Sequence, residues 1–356
     1  MERYLGLDVH AASSTLVVLS EKGRRLKRCV LETNGQALVE AIRMIPGRKH
    51  LCFEEGTQSA WLYEILSPQV QETVVAMLRY RRGQKNDALD AYLLAEKLRT
   101  GQIERQVFKA PGQFALLREL ARIHGMISRD LVRVQGRLKS LYRSRGVRTP
   151  GASVYGSGHR EAWLAKLPKT SCPGAARLYE EIDFLAELKQ RTERDLIRES
   201  RRQRITRILE TIPGLGPIRV ARLVPIVVTP YRFRTRQQFW SYCGLGIVTR
   251  TSSDWVRTPD RGWIRAEVQR TRGLTRQHNH VLKDIFKGAA MSVLIHYPHD
   301  PLRQHYDRLL EGGTAPNLAR VTLARKIASI SLALWKKKEP YQPEREQRAE
   351  EIPREA

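Results

Sequence analysis

The sequence predicts an α/β domain at the N-terminus, a helical hairpin of coiled-coil type after it, and a mostly α-helical domain beyond. Three observations carry this prediction. Short apolar runs separated by turn residues fill the chain up to about Leu98. Apolar residues then alternate spacings of three and four from Leu117 to Leu141. Helical spacings prevail from about Ile205 to Lys338.

The N-terminal runs are Arg3 to Val9, Thr15 to Leu19 and Arg28 to Glu32, with Glu21-Lys22-Gly23 as a turn. Three such runs joined by tight turns predict an antiparallel meander. A helix over Gly35 to Met44 follows, then a strand over His50 to Phe53 and a helix around Trp61 to Leu66. Thr73 to Leu78 is a fifth strand, and Asp87 to Leu98 turns helical. The order βββαβαβα is that of an RNase H-like fold. The next segment carries Leu117, Leu120, His124, Ile127, Leu131, Val134, Leu138 and Leu141, a heptad seam interrupted by His124. His124 reads as a tolerated seam residue, not a ligand. A second helical pattern runs through Leu178, Ile182, Leu185, Leu188 and Leu196, with a Gly/Ser/Pro-rich stretch between the two. They predict an antiparallel hairpin packed on itself or on another protomer. The resulting division is 1–110, 111–204, 205–340 and a charged, Pro-containing tail, 341–356, expected to be disordered.

The 356 residues are too many for one ordinary domain. The net charge of +26 repels itself unless an anionic partner neutralises it, and nucleic acid is the leading partner. Basic stretches at Arg79 to Arg82, Arg129 to Arg145, Arg191 to Arg204 and Lys336 to Lys338 favour phosphate tracking. No apolar run reaches the roughly 18 residues of a spanning helix. No signal peptide opens the chain, so the expectation is no membrane and a cytoplasmic location. The four cysteines, Cys29, Cys52, Cys172 and Cys243, form no C-x-x-C pair and read as small buried thiols.

Four sets of residues are candidates for chemistry. Asp8 ends the first strand, Glu54 and Glu55 close the strand before the second helix, and Asp87 and Asp90 share a helix face three residues apart. In an RNase H-like topology the first and fourth strands are central neighbours and the last helix crosses their ends. Acids from three distant segments then converge. Converging carboxylates repel unless a cation lies between them, and hard oxygen ligands suit Mg²⁺. Two such ions roughly 3.5–4 Å apart stabilise both oxygens of an in-line phosphoryl displacement. The string IPGLGPIRVARLV, from Ile212 to Val224, resembles a helix-hairpin-helix, with Gly214, Gly216 and Arg219 as candidate phosphate contacts. In YCGLGIVTRTSSD an apolar run ends in Thr251, Ser252, Ser253 and Asp254, flanked by Arg250 and Arg257. A serine there can attack phosphorus and hold the strand covalently, while guanidinium groups stabilise the phosphate. Out of context, Thr-Ser-Ser-Asp is more often a turn or a helix cap.

Taken together, seven strings in order resemble a known family: GLDVH, FEEGTQSAWLYEIL, KNDALDAYLLAEKLRTG, IPGLGPIRVARL, YCGLGIVTRTSSDWV, RGLTRQHNHVLKDIFKGAA and LARKIASISLALWKK. The family is the insertion-sequence transposases that pair a RuvC-like DEDD domain with a C-terminal serine domain, Piv-type DNA invertases among them. The resemblance implies that Asp8, Glu54, Asp87 and Asp90 form the metal-binding tetrad. Glu54 fits better than Glu55, because the family's acid precedes a small-Gly-Thr string. It places the nucleophile in TRTSSD, at Ser252 ahead of Ser253; many members carry Ser-Gly where this chain has Ser252-Ser253-Asp254. It also implies an oligomer in which the acids of one subunit meet the serine of another. Donor and target DNA are the implied partners, with a structured guide RNA (a bridge RNA) encoded beside the gene. Two other readings compete. A RuvC-like nuclease or junction resolvase would use metal without a serine, and a non-catalytic scaffold would bind nucleic acid with purely structural acids.

Overall fold

The computed structural model describes residues 1–77, 86–103, 112–250, 255–260, 262–265 and 270–344. The chain divides into two compact units, Met1–Gly112 and Gln113–Ala356.

The first unit is a five-stranded sheet with helices on both faces. Its strands are β1 (Glu2–Val9), β2 (Ser13–Ser20), β3 (Arg25–Glu32), β4 (Arg48–Glu54) and β5 (Glu72–Ala76). Its helices are α1 (Gly35–Arg43), α2 (Ser59–Leu66) and α3 (Asp87–Arg99). The strand order is β3-β2-β1-β4-β5, antiparallel on the β1–β2–β3 side and parallel through β1–β4–β5. This is the mixed sheet that the βββαβαβα order predicts. Several strands outrun their apolar runs: β3 starts at Arg25 and β4 at Arg48, because exposed charged residues extend a ladder without needing burial. Leu78 and Arg79 to Arg82 lie outside the described residues.

Alternation sorts the strand side chains between two cores. Leu5, Leu7, Leu16, Val18, Leu51 and Phe53 pack with Leu38 and Ile42 of α1 and Leu62 and Leu66 of α2. On the other face Val17 and Leu19 pack with Ala91 and Ala95 of α3, and Cys52, Val74 and Ala76 pack with Leu94. The run Leu16 to Leu19 is apolar without a break because β2 is covered on both faces.

The second unit starts with a hairpin of two 29-residue helices, α4 (Ala115–Arg143) and α6 (Cys172–Ser200), with the short α5 (Arg160–Leu164) between them. Val134, Leu138 and Tyr142 of α4 pack with Ala175, Tyr179 and Ile182 of α6, and Trp163 closes that end. The seam therefore packs within the chain. His124, inside the seam, is buried with Nε2 3.1 Å from Glu193 Oε1. Its imidazole is kept below its ordinary pKa by burial, against the opposing pull of Glu193.

A larger core joins α7 (Arg204–Leu209), α8 (Pro217–Val227), α9 (Arg236–Tyr242), α10 (His280–His296), α11 (Pro301–Glu311) and α12 (Pro316–Lys337). The helical expectation for this region needs an addition. Between α9 and α10 lie two two-stranded antiparallel ladders. One pairs β6 (Ile247–Arg250) with β9 (Arg270–Leu274); the other pairs β7 (Trp255–Thr258) with β8 (Gly262–Arg265). The charged tail is also held further than Pro340: the Tyr341 amide donates to Thr211 Oγ1 at 2.8 Å and its hydroxyl reaches Asp300 Oδ1 at 3.2 Å. Residues 345–356, the rest of the expected disordered tail, lie outside the described residues. All four cysteines are free; Cys52 and Cys243 are buried, whereas Cys29 and Cys172 are half-buried. Burial pushes the Cys52 thiol up to about 12, which keeps it unreactive. Among the described residues, no helix is long and apolar enough to cross a membrane.

Candidate metal centre

The site begins with strand parity. On β1, Leu5 and Leu7 face α1 and α2, so Gly6 and Asp8 face α3. Gly6 lets α3 come against the strand: a methyl there would overlap the Ala91 carbonyl oxygen and lie 2.6 Å from the Ala95 amide. Helix α3 is started by Asn86, whose side chain accepts from the Ala88 amide at 3.0 Å and from Leu89 at 3.4 Å. This cap fixes Asp87 and Asp90 in the first turn, where the helix N-terminus favours negative charge. Close approach at Gly6 and capping at Asn86 together bring the start of α3 to the end of β1.

At that point Asp8, His10 and Asp87 converge, with one ligand atom from each within 4.8 Å of the others. His10 Nε2 lies 3.4 Å from Asp8 Oδ2 and 3.4 Å from Asp87 Oδ1. The Asp8 side chain is 16% exposed, against 54% for Asp87. Burial pushes the Asp8 carboxyl above its ordinary range; the charges of Asp87 and Asp90 add to that, and His10 opposes it. A half-buried carboxylate with two acidic neighbours is a place where a cation relieves repulsion, and its oxygen donors suit a hard divalent ion.

Glu54 is exposed at the end of β4, in parallel with β1. Phe53 faces α1 and α2 while Cys52 faces α3, so alternation puts Glu54 on the α3 side with Asp8. It lies outside the 4.8 Å cluster of Asp8, His10 and Asp87. Asp90 acts on Asp8 through its charge.

The string GLDVH contains His10, to which sequence reasoning assigns no role. The available signal was its spacing of two from Asp8, which keeps both on one side of an extended strand. A replacement at Gly6 tests the geometry. Gly6→Ala is expected to cost about 1–3 kcal/mol, as an overpacked core does, and to weaken metal binding by displacing α3. Denaturant unfolding and metal titration check it; unchanged stability and affinity would show that α3 is free to shift.

The other candidates occupy different places. Gly214 is buried, with φ +80°, and a methyl there would overlap the Ala289 carbonyl of α10. Arg219 Nη1 donates to Gly214 O at 2.9 Å, and burial lowers its pKa. The glycine-rich turn is thus a close helix contact braced by an arginine, and of its two glycines it is Gly216 that has open space where a Cβ would lie. Arg250 ends β6 opposite Arg270, and Arg257 is an exposed β7 residue opposite Trp263. Ser252 and Ser253, between β6 and β7, lie outside the described residues.

Residues 5–144 match a family model of DEDD transposases of the IS110 group, described as a transposase. Residues 206–307 match the model described as the transposase IS116/IS110/IS902 family. No curated protein was found to match the chain. The first model covers the sheet that carries the acids, and a DEDD domain implies use of a divalent metal. Two transposase models matched in order, over residues 5–144 and 206–307, support an IS116/IS110/IS902-type transposase, an enzyme that cuts and rejoins DNA.

Proposed function

We propose that this chain moves an insertion sequence by cutting and rejoining DNA with Mg²⁺ held by Asp8, Glu54, Asp87 and Asp90 and a nucleophile at Ser252 or Ser253. The observation that carries the metal half is the meeting of Asp8, His10 and Asp87 across β1 and α3. When bound, the cation supplies Lewis-acid stabilisation of charge on the phosphate oxygens. The chain's residues do the rest. Asp8 and Asp87 hold their oxygens at fixed positions on a strand and a capped helix. The serine Oγ forms a bond to phosphorus, the bond from phosphorus to the neighbouring nucleotide oxygen breaks, and the serine proton leaves to solvent or a base. The reverse exchange, with a different DNA oxygen attacking, rejoins the strand and frees the serine. Conserving the phosphodiester in this way removes any need for an external energy source.

The serine, the guide RNA and an oligomer that shares its sites between subunits rest on the family resemblance and on the order of motifs in the sequence. The surplus of positive charge supports contact with both nucleic acids.

Calorimetric titration of MgCl₂ or MnCl₂ into the full chain tests the metal half. Saturable binding to the wild type is expected, weakened more than about 10-fold by Asp8→Asn, since even outer partners of a metal site are worth 10–100-fold in affinity. Equal affinity in the two proteins would move the metal away from Asp8.

A further inference from the structure

The β7–β8 hairpin begins two residues after Ser253 and carries two of the six tryptophans. Trp255 is 61% exposed and Trp263 65%, whereas Trp61, Trp163, Trp240 and Trp335 are buried or half-buried. In the ladder Trp255 is opposite Arg265, and Arg257 is opposite Trp263. Directly opposed residues share a face in an antiparallel pair, and so do residues two apart on one strand. Trp255, Arg257 and Trp263 therefore lie on one face, with Arg257 directly opposite Trp263 in the register.

Large aromatic rings kept in water forgo the gain from burial, so two on one small ribbon point to a partner that covers them. The surrounding sequence states the partner's charge. From Arg250 to Arg276 there are seven arginines and no lysine, against three acids. Guanidinium groups pair with phosphates and stack on rings, which an ammonium does less well. Indoles in a cationic setting are the means by which proteins hold unpaired bases, whose π-faces a duplex keeps occupied. The family's reaction breaks and exchanges DNA strands, which leaves bases unpaired next to the broken phosphodiester.

We infer that the Trp255–Arg257–Trp263 face of this hairpin binds unpaired DNA bases by stacking. It rests on DNA being the substrate and is independent of which serine attacks phosphorus.

The test measures binding of the full chain to a labelled oligothymidine of about 12 nucleotides and to a duplex of equal length, at one salt concentration. Trp263→Ala is expected to weaken binding of the single strand about 10-fold and of the duplex less than about 2-fold, the loss of one base–indole stack. Trp263→Phe should restore most of the affinity, because a smaller ring still stacks. Trp255→Ala should act in the same direction. Equal losses on single strand and duplex, or no loss on either, would overturn the inference. So would tighter binding of an oligouridine of the same length with the same dependence on Trp263, which would make RNA the occupant. The assay involves no covalent step, so it stands whether or not a serine adduct forms.

Discussion

Asp8→Asn is expected to lower strand cleavage by more than about 100-fold and to raise the melting temperature of the metal-free chain. The first effect follows from loss of a charged ligand in a site where outer partners alone are worth 10–100-fold. The second follows from burial and from Asp87 and Asp90, which push the Asp8 carboxyl above its ordinary 3.8. A carboxyl whose pKa is raised by folding favours the folded state fully only below its unfolded pKa. That contribution is lost as pH rises through the folded value, and at neutral pH the charged form opposes folding. The amide carries no charge and escapes this. The stability gap between variant and wild type should therefore widen from about pH 4 towards neutrality and close again when divalent metal is added. Calorimetric melts across that range, in chelator and in Mg²⁺, check the prediction. A variant that melts below the wild type at neutral pH without metal would show that Asp8 stabilises the fold, and that the acids are structural.

The second large effect concerns the serines. A Ser252→Ala/Ser253→Ala double variant is expected to lose recombination by more than about 10⁴-fold, the scale of removing a nucleophile. Metal affinity should stay at the wild-type level, because the acids belong to a separate compact unit. Ser252→Cys should retain a trace of activity, since a thiol is also a nucleophile. The single alanine variants identify which serine acts: the one that tolerates replacement is the neighbour. Recombination at the normal rate in the double variant would leave a metal-only resolvase as the better account.

Much of the first unit was readable from sequence because its signals are local. Thr15 to Leu19 is apolar at every position but the first, which a strand covered on both faces requires. Asp8 and Asp87 were readable as partners because the βββαβαβα order puts β1 at the sheet centre beside β4 and packs the last helix across it. His10 escaped because histidine is common at strand ends, and only the position of α3 shows that its ring falls between two carboxylates. The small ladders of the second unit also escaped. Their strands are four or five residues long and rich in arginine, so neither alternation nor an apolar run marks them. Gly214 carries a requirement that its string does not show: the glycine is needed where the chain meets the Ala289 carbonyl, a contact distant in sequence.

The most direct test of the central claim is to trap the reaction on a suicide DNA substrate, nicked so that the cleaved end diffuses away, and to map any modified peptide by mass spectrometry. The expected result is a phosphodiester between DNA and Ser252 or Ser253, formed with Mg²⁺, absent in chelator and absent in Asp8→Asn. Metal-dependent cleavage of the same substrate with no DNA attached to the chain would contradict it.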